Sequence, residues 1–444
     1  VKRSLLLSLL REHTTVLVLA LLCAVLSVVT WDKQFPSGAS GGRQVAAHIA
    51  RKIDPPANVL IVVRDTQEDA AFAAAANEQL TTAGFRVVDT VRGQPVDARR
   101  AIGRLNAAGQ QVQVIVANEV TATTWVPLRD LASQGPAVAD AQIYVPRSYY
   151  WPDFLKAGNL LNIANQIAFI AIIAIGMTLV IVSGGIDLSV GSLVALTAMV
   201  AARLIRDLGG GTGAGLAAVI VCCTTAIGVG ALAGGLNGAL IARLRIPPFI
   251  VTLATMSIAA GLAFMISRGE SINEVPPAIG WLASGTLIGE IPNSVLWMGI
   301  LFGLAHVVMS RTTFGRHLYA LGGNRQAAWL CGLPVRRVEL AAYVLSGGLA
   351  GLAGVLMLSQ YASASPNYGV TYELQVIAAV VVGGTSLSGG RGTIFGTLLG
   401  ALLIAVVQNG MNLLGLSSDP QKVVLGLVIL AAAVVDRLKQ QRSE

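Results

Sequence analysis

The sequence predicts a polytopic α-helical membrane protein of about ten transmembrane helices, carrying an inserted extracytoplasmic α/β domain with a parallel sheet. Three observations predict it. The 444 residues are 54% hydrophobic and only 12% charged, with a mean hydropathy of +0.68, a composition outside the range of soluble globules. Apolar stretches long enough for a bilayer recur at roughly 14–31, 161–183, 188–206, 214–242, 248–267, 292–310, 340–360, 373–387, 393–414 and 421–436. One stretch, 32–158, breaks the pattern: it holds 13 Lys/Arg and 12 Asp/Glu, of 31 and 23 in the whole chain. The net charge of +8 therefore sits almost entirely on the short loops between apolar segments. That is the signature of a membrane protein oriented by its basic loops, and it excludes a nucleic-acid partner, for which no reader motif exists either.

The N-terminal run fits a retained first helix. No small-residue cleavage site follows Thr14–Trp31, Leu22 stands where a lipoprotein signal wants a small residue before Cys23, and Lys2, Arg3 and Arg11 hold its start on the cytoplasmic side. Ten crossings then return the C-terminus, DRLKQQR, to the cytoplasm. Arg243, Arg245, the five arginines of 311–337 and Arg391 fall on the same side, whereas Arg203 and Arg206 are exceptions beside Asp207. The domains expected are 1–31 (tail and first helix), 32–150 (the insertion) and 151–444 (the transmembrane domain, with a large cytoplasmic loop at 311–340). The span 373–387 is short and ends in glycines, as a broken crossing would. Glycines four apart, Gly230/Gly234/Gly238 and Gly392/Gly396/Gly400, mark close helix packing.

Within the insertion, NVLIVV (58–63), FRVVDT (85–90), VQVIVA (112–117) and AQIYV (141–145) alternate with helical patterns over 68–83, 96–108 and 121–134. Strands and helices in that alternation predict a parallel sheet with helices on its faces. After NVLIVV comes RDTQED, with no glycine cluster to cradle a phosphate.

The chemistry the chain can do is narrow. It has no G-x-x-x-x-G-K-[ST], so it is not itself a P-loop ATPase. Cys23, Cys222, Cys223 and Cys331 lack metal spacing and read as packing residues; the four histidines are scattered, so neither a metal site nor a nucleophile–base pair can be assembled. In the 311–340 loop, Asn324 can cap a short helix Arg325–Leu330 that ends at Gly332 and Pro334, the form a docking knob takes. In SGGIDLSVGS (183–192), Asp187 is an acid inside an apolar segment, costly at membrane depth. Either it caps the following helix by accepting from the amide of Ser189 or Val190, or it faces a translocation path. Glu373 faces the same choice and is expected near the outer interface. Asn237, Gln408, Asn409 and Asn412 are polar groups in apolar helices. Gln408 and Asn412 share a helix face, and all four either bond between helices or line a polar path.

With those residues in hand, the chain resembles the permease subunits of ATP-binding-cassette importers of monosaccharides, the ribose/xylose/galactose branch. The matching runs are FLKAGNLLNIANQ (154–166), GMTLVIVSGGIDLSVGSLVAL (176–196), GGLNGALIARLRIPPFIVTLATM (234–256), FGRHLYALGGNRQAAWLCGLPV (314–335), ELQVIAAVVVGGTSLSGGRGTIFGTLLGALL (373–403) and NGMNLLGLSS (409–418). The resemblance implies an inner-membrane homodimer, embedded in lipid, that imports sugar by alternating access and binds no cofactor of its own. ATP and Mg would sit on a separate cytoplasmic ATPase docking on Gly323, Asn324, Arg325, Ala327, Ala328, Leu330 and Gly332. A separate extracytoplasmic sugar-binding protein would deliver substrate. Asp187, Ser189, Asn237, Glu373, Gln408, Asn409 and Asn412 are the path candidates. The family commonly has Asp where this chain has Gln375, so no charge role carries over there. The insertion is foreign to the family pattern; its βα units look similar to one lobe of a sugar-binding protein, which would make it a docking platform, a tethered receptor or a spacer. Two other readings are a membrane sensor with an outer ligand-binding domain and an ion-coupled carrier using Asp187 and Glu373.

Overall fold

The computed structural model describes residues 14–441. Lys2, Arg3 and Arg11, and Arg442 at the end of the basic tail, lie outside the described residues. The chain forms two compact units, residues 1–30 with 153–444, and residues 31–152.

The smaller unit is built on a parallel sheet. Strands β2 (Asn58–Arg64), β3 (Arg86–Gly93), β4 (Val114–Ala117) and β5 (Gln142–Tyr144) lie in the order β3-β2-β4-β5, all parallel. β2 is apolar and buried from Val59 to Val63 because it is covered on both faces. Val59, Ile61 and Val63 pack with Val45, Ile49, Phe72 and Leu80 of helices α2 (Gly38–Ala50) and α3 (Gln67–Thr82). Leu60 and Val62 point the other way, onto Ile102 and Leu105 of α4 (Pro95–Ala107) and onto Trp125 and Leu128. A two-stranded antiparallel ribbon, β1 (Trp31–Gln34) with β6 (Tyr149–Pro152), closes the unit. Here the expected helix 121–134 is corrected. It breaks into α5 (Glu119–Thr124), α6 (Val126–Arg129) and a 3-10 turn, because Pro127 has no N–H for a continuous helix and is accommodated only in the first turn of a new one. Helix α2 went unassigned in the sequence, although Val45, Ala46 and Ile49 carry its buried face.

The larger unit is helical: α1 (Thr14–Val29), α7 (Ala157–Val182), α8 (Val190–Asp207), α9 (Leu216–Leu244), α10 (Pro248–Ser267), α11 (Asn293–Arg311), α12 (Thr313–Gly323), α13 (Arg325–Leu330), α14 (Val335–Tyr361), α15 (Tyr372–Val382), α16 (Ile394–Leu413) and α17 (Ser418–Gln441). Six of them, α7, α9, α10, α11, α14 and α16, are long and apolar enough to cross a membrane, while α1 and α15 are apolar but shorter. Helix α8 reaches 18 residues but ends on Arg203, Arg206 and Asp207, which pair with one another. A short antiparallel pair, β7 (Thr286–Ile288) with β8 (Ile291–Pro292), precedes α11.

Helix α14 runs through the centre, against α7, α8 and α9. Between α9 and α14 the backbones touch: a Cβ on Gly234 would stand 2.1 Å from the Tyr343 carbonyl oxygen, and one on Gly347 would stand 2.2 Å from that of Gly230. Lipid gives helices no hydrophobic reason to associate, so small residues that admit close van der Waals packing carry the association instead. The second glycine series works the same way for two of its three members. Gly396 and Gly400 of α16 lie on Gly383 and Ala379, whereas Gly392 sits in the turn before α16, against Thr385.

Candidate functional site

The surface helix α13 is held at both ends by local chemistry. Asn324 has extended backbone and its Oδ1 accepts from the Ala327 amide at 2.9 Å, the bond expected of an N-cap. At the other end Gly332 takes a left-handed φ of +78°. The Leu333 amide then reaches the Ala328 carbonyl at 3.1 Å, and the Gly332 amide that of Trp329 at 3.0 Å, a Schellman closure. Six residues cannot hold a helix alone, and a third tie supplies the rest. The Arg325 guanidinium makes a two-pronged bond to Glu339, near the start of α14, at 2.6 and 2.8 Å. That carboxylate keeps the Arg325 charge firmly in place, raising the guanidinium above its already high ordinary value.

Most of the expected docking residues, Gly323, Asn324, Arg325, Ala327, Leu330 and Gly332, are exposed. Ala328 is not: at 5% exposure it faces the bundle. Sequence reasoning missed Trp329, which is 69% exposed beside Leu330 at 76%. Exposed tryptophan on a capped knob was the available signal. Cys331, read from sequence as a packing residue, is exposed at the end of α13, because the Schellman turn points it outward. Trp329, Leu330 and Arg325 border a cleft of about 850 Å³ shared with Arg245, Arg336 and Arg337.

The second candidate site is a buried polar centre. Helix α7 stops at Ser183, Gly184 takes φ +89°, and α8 starts after Ser189. Asp187 lies in this break, fully buried. The bond expected of a cap forms: Asp187 Oδ1 accepts from the Ser189 amide at 3.0 Å, and from the Ser189 hydroxyl at 2.6 Å, although the regular helix begins only at Val190. Its Oδ2 accepts from the Ser346 hydroxyl of α14 at 2.9 Å. The Asn237 amide of α9 donates to Ser189 Oγ at 3.1 Å and accepts in turn from Thr255 of α10. One connected network thus ties the α7–α8 break to α9, α10 and α14, with each carboxyl oxygen of Asp187 hydrogen-bonded as a buried polar group requires.

The remaining path candidates divide. Glu373 opens α15, with its carboxyl group against the first turn of α8. A Cβ on Gly191, in the first turn of α8, would stand 2.6 Å from Glu373 Oε2 and 2.4 Å from the Gly369 carbonyl. Gly354 of α14 abuts Val194, so Gly191 lies roughly 15 Å along α14 from its Tyr361 end. The ten residues between α14 and α15 double back into the bundle before α15 begins. Asn409 is elsewhere: it exchanges two amide hydrogen bonds, at 2.7 and 3.0 Å, with Asn159 of α7. Asn412 accepts from Gln421, and Gln408 is half-buried on the same helix. These three do not join the Asp187 network. Ser346 and Thr255, which do, carry no sequence signal, since hydroxyls in apolar helices ordinarily bond their own preceding turn. Among the described residues no group of His, Cys, Asp and Glu could hold a metal ion.

A bundle of membrane-length helices around a hydrogen-bonded polar centre, with a rigid capped helix on its surface, defines a polytopic helical membrane permease. Residues 159–433 match the family described as the branched-chain amino acid transport system permease component, and the chain belongs to this permease family. It is 43% identical over 294 residues to the ribose import permease of Escherichia coli K12, covering 65% of this chain and 88% of that one. The ribose import permease of Bacillus subtilis 168 is 44% identical over 290 residues (65% and 87%). The L-arabinose transport permease of E. coli K12 is 37% identical over 319 (69% and 91%). No solved structure shows a significant match. The family match begins at residue 159, so the α/β unit lies outside it.

Proposed function

We propose that this chain is the membrane-spanning subunit of an ATP-driven importer of a monosaccharide, ribose or a close relative, and that it works as an inner-membrane homodimer by alternating access. The observation that carries the reading is the identity of 43–44% to ribose permeases over nearly their whole length. The ten-crossing topology with both ends cytoplasmic belongs to the same reading and is supported by the basic loops. ATP and Mg act on a separate ATPase, which seats on the exposed face of α13 (Asn324, Ala327, Trp329 and Leu330), while the Arg325 guanidinium is turned to Glu339. Sugar passes along a path bordered by the Asp187–Ser189–Asn237 centre and Glu373, which face each other across the first turn of α8. A separate sugar-binding protein delivers it from outside, and the 31–152 unit serves as a platform for that protein. Its two-faced parallel sheet, with a core of its own, supports a self-sufficient docking module.

Uptake of a panel of labelled monosaccharides by a strain lacking its own ribose permease, supplied with this chain and its ATPase, tests the substrate. Ribose uptake is expected, and transport of branched-chain amino acids alone would overturn the reading. The ATPase contact is tested with Ala327→Arg, on the exposed side of α13. The folded permease should lose co-purification of the ATPase, and normal co-purification would count against α13 as the docking element.

A further inference from the structure

Three residues of α14, Glu339, Tyr343 and Ser346, lie at spacings of four and three and so share one helix face. All three are buried. Glu339 grips Arg325 of the surface helix through both carboxylate oxygens. Two turns on, roughly 10 Å along the axis, Ser346 grips Asp187 in the α7–α8 break. Between them the Tyr343 hydroxyl is fully buried, has no hydrogen-bond partner among the described residues, and is wedged against Gly185, where a Cβ would stand 2.3 Å away. Next to it, α7 and α14 are in backbone contact, since a Cβ on Gly176 would lie 2.7 Å from Ser346 Cα.

We propose that this face of α14 is the rigid link through which the position of α13 sets the geometry of the Asp187 break, with Arg325, Glu339 and Tyr343 acting as positioning residues for transport. The proposal rests on the reading that α13 receives the ATPase. A helix transmits an axial push or a rotation without loss if it is fastened at both ends. Here the ends are a forked ion pair and a carboxylate–hydroxyl bond, and the intervening packing has no slack to absorb a displacement. The unpartnered hydroxyl adds the second state. A buried O–H without an acceptor is unfavourable, so a shift of α14 that brings Tyr343 to an acceptor at the break is favoured by that bond. In this arrangement both ends of the link are fastened, and movement of α13 carries the whole face of α14 toward the state in which Tyr343 is paired.

The test uses the complete reconstituted transporter, permease with ATPase and binding protein, and reads sugar imported per ATP hydrolysed alongside ATPase co-purification. Arg325→Glu should keep the ATPase bound but lower the ratio by roughly tenfold, the size of a typical coupling factor. Combining it with Glu339→Arg, which restores the pair in reverse, should recover most of the ratio. Tyr343→Phe, which removes only the hydroxyl, should lower the ratio with docking and folding intact. It decides the matter if the reversed pair does not fold. A wild-type ratio in Arg325→Glu or in Tyr343→Phe overturns the link, as does a folded double reversal that recovers nothing. Loss of ATPase binding in Arg325→Glu also overturns it, by making Arg325 part of the docking surface alone. Failure of the underlying reading shows separately, as normal ATPase binding in Ala327→Arg.

Discussion

Asp187 costs too much at this depth to be incidental, and its three hydrogen bonds, two from Ser189 and one from Ser346, explain how it is kept. Leaving the hydroxyls of Ser189 and Ser346 without it would strand two buried polar groups, each worth roughly 1–3 kcal/mol. Asp187→Leu is therefore expected to lower the thermal midpoint of the detergent-purified protein sharply. Asp187→Asn keeps one acceptor oxygen and offers an N–H to the Ser346 hydroxyl, which can turn to accept, so it should fold with a loss of about 1 kcal/mol. Uptake by Asp187→Asn then separates two roles. Near-normal transport assigns the residue to the architecture of the break, whereas a stable but inactive variant assigns it to the path itself.

Single elements are made or broken by equally local terms. Removing the cap with Asn324→Ala strands an N–H of α13 and costs about 1 kcal/mol, in a helix with little stability of its own. The expected result is a several-fold weaker ATPase affinity with unchanged expression, measured by titration of the ATPase onto the reconstituted permease. The α9–α14 pair is less forgiving. Gly234→Leu would drive a side chain into the Tyr343 carbonyl 2.1 Å away from the first added carbon. Neither backbone can yield without uncoupling Asn237 from Ser189, so that variant should fail to give a monodisperse protein on size-exclusion chromatography. Gly235, which meets nothing closer than 3.3 Å, should tolerate alanine.

For the whole molecule, the telling contact is where the membrane unit gives up the chain and takes it back. The Thr30 carbonyl accepts from the Asp153 amide at 2.9 Å, and the Thr30 hydroxyl accepts from the Phe154 amide at 3.1 Å. Two ends held that close can be joined by a short Gly-Ser linker at small entropic cost. Excision of 31–152 should leave the helical unit inserted and monodisperse. If the unit is a platform for the sugar-binding protein, the excised transporter should also lose most of its stimulation by that protein while its ATPase still docks.

Sequence alone determined what depends on neighbours a few residues away. The apolar runs fixed where helices form, because length and hydropathy decide burial in lipid. The alternation of apolar strands with helical patterns outlined β2–β5. Asn324 and Gly332 announced the ends of α13, because a cap and a Schellman turn are closed within the segment itself. What only the tertiary structure decided depends on partners far along the chain. Ser346 lies 159 residues from Asp187, and nothing near it distinguishes it from a serine bonded to its own turn. Glu373 is at the start of α15 in either reading, and only the path of the ten residues before it carries that start inside the bundle. Ala327 and Ala328 are adjacent alanines of equal propensity, yet the pitch of a single helical turn exposes one to a partner and buries the other.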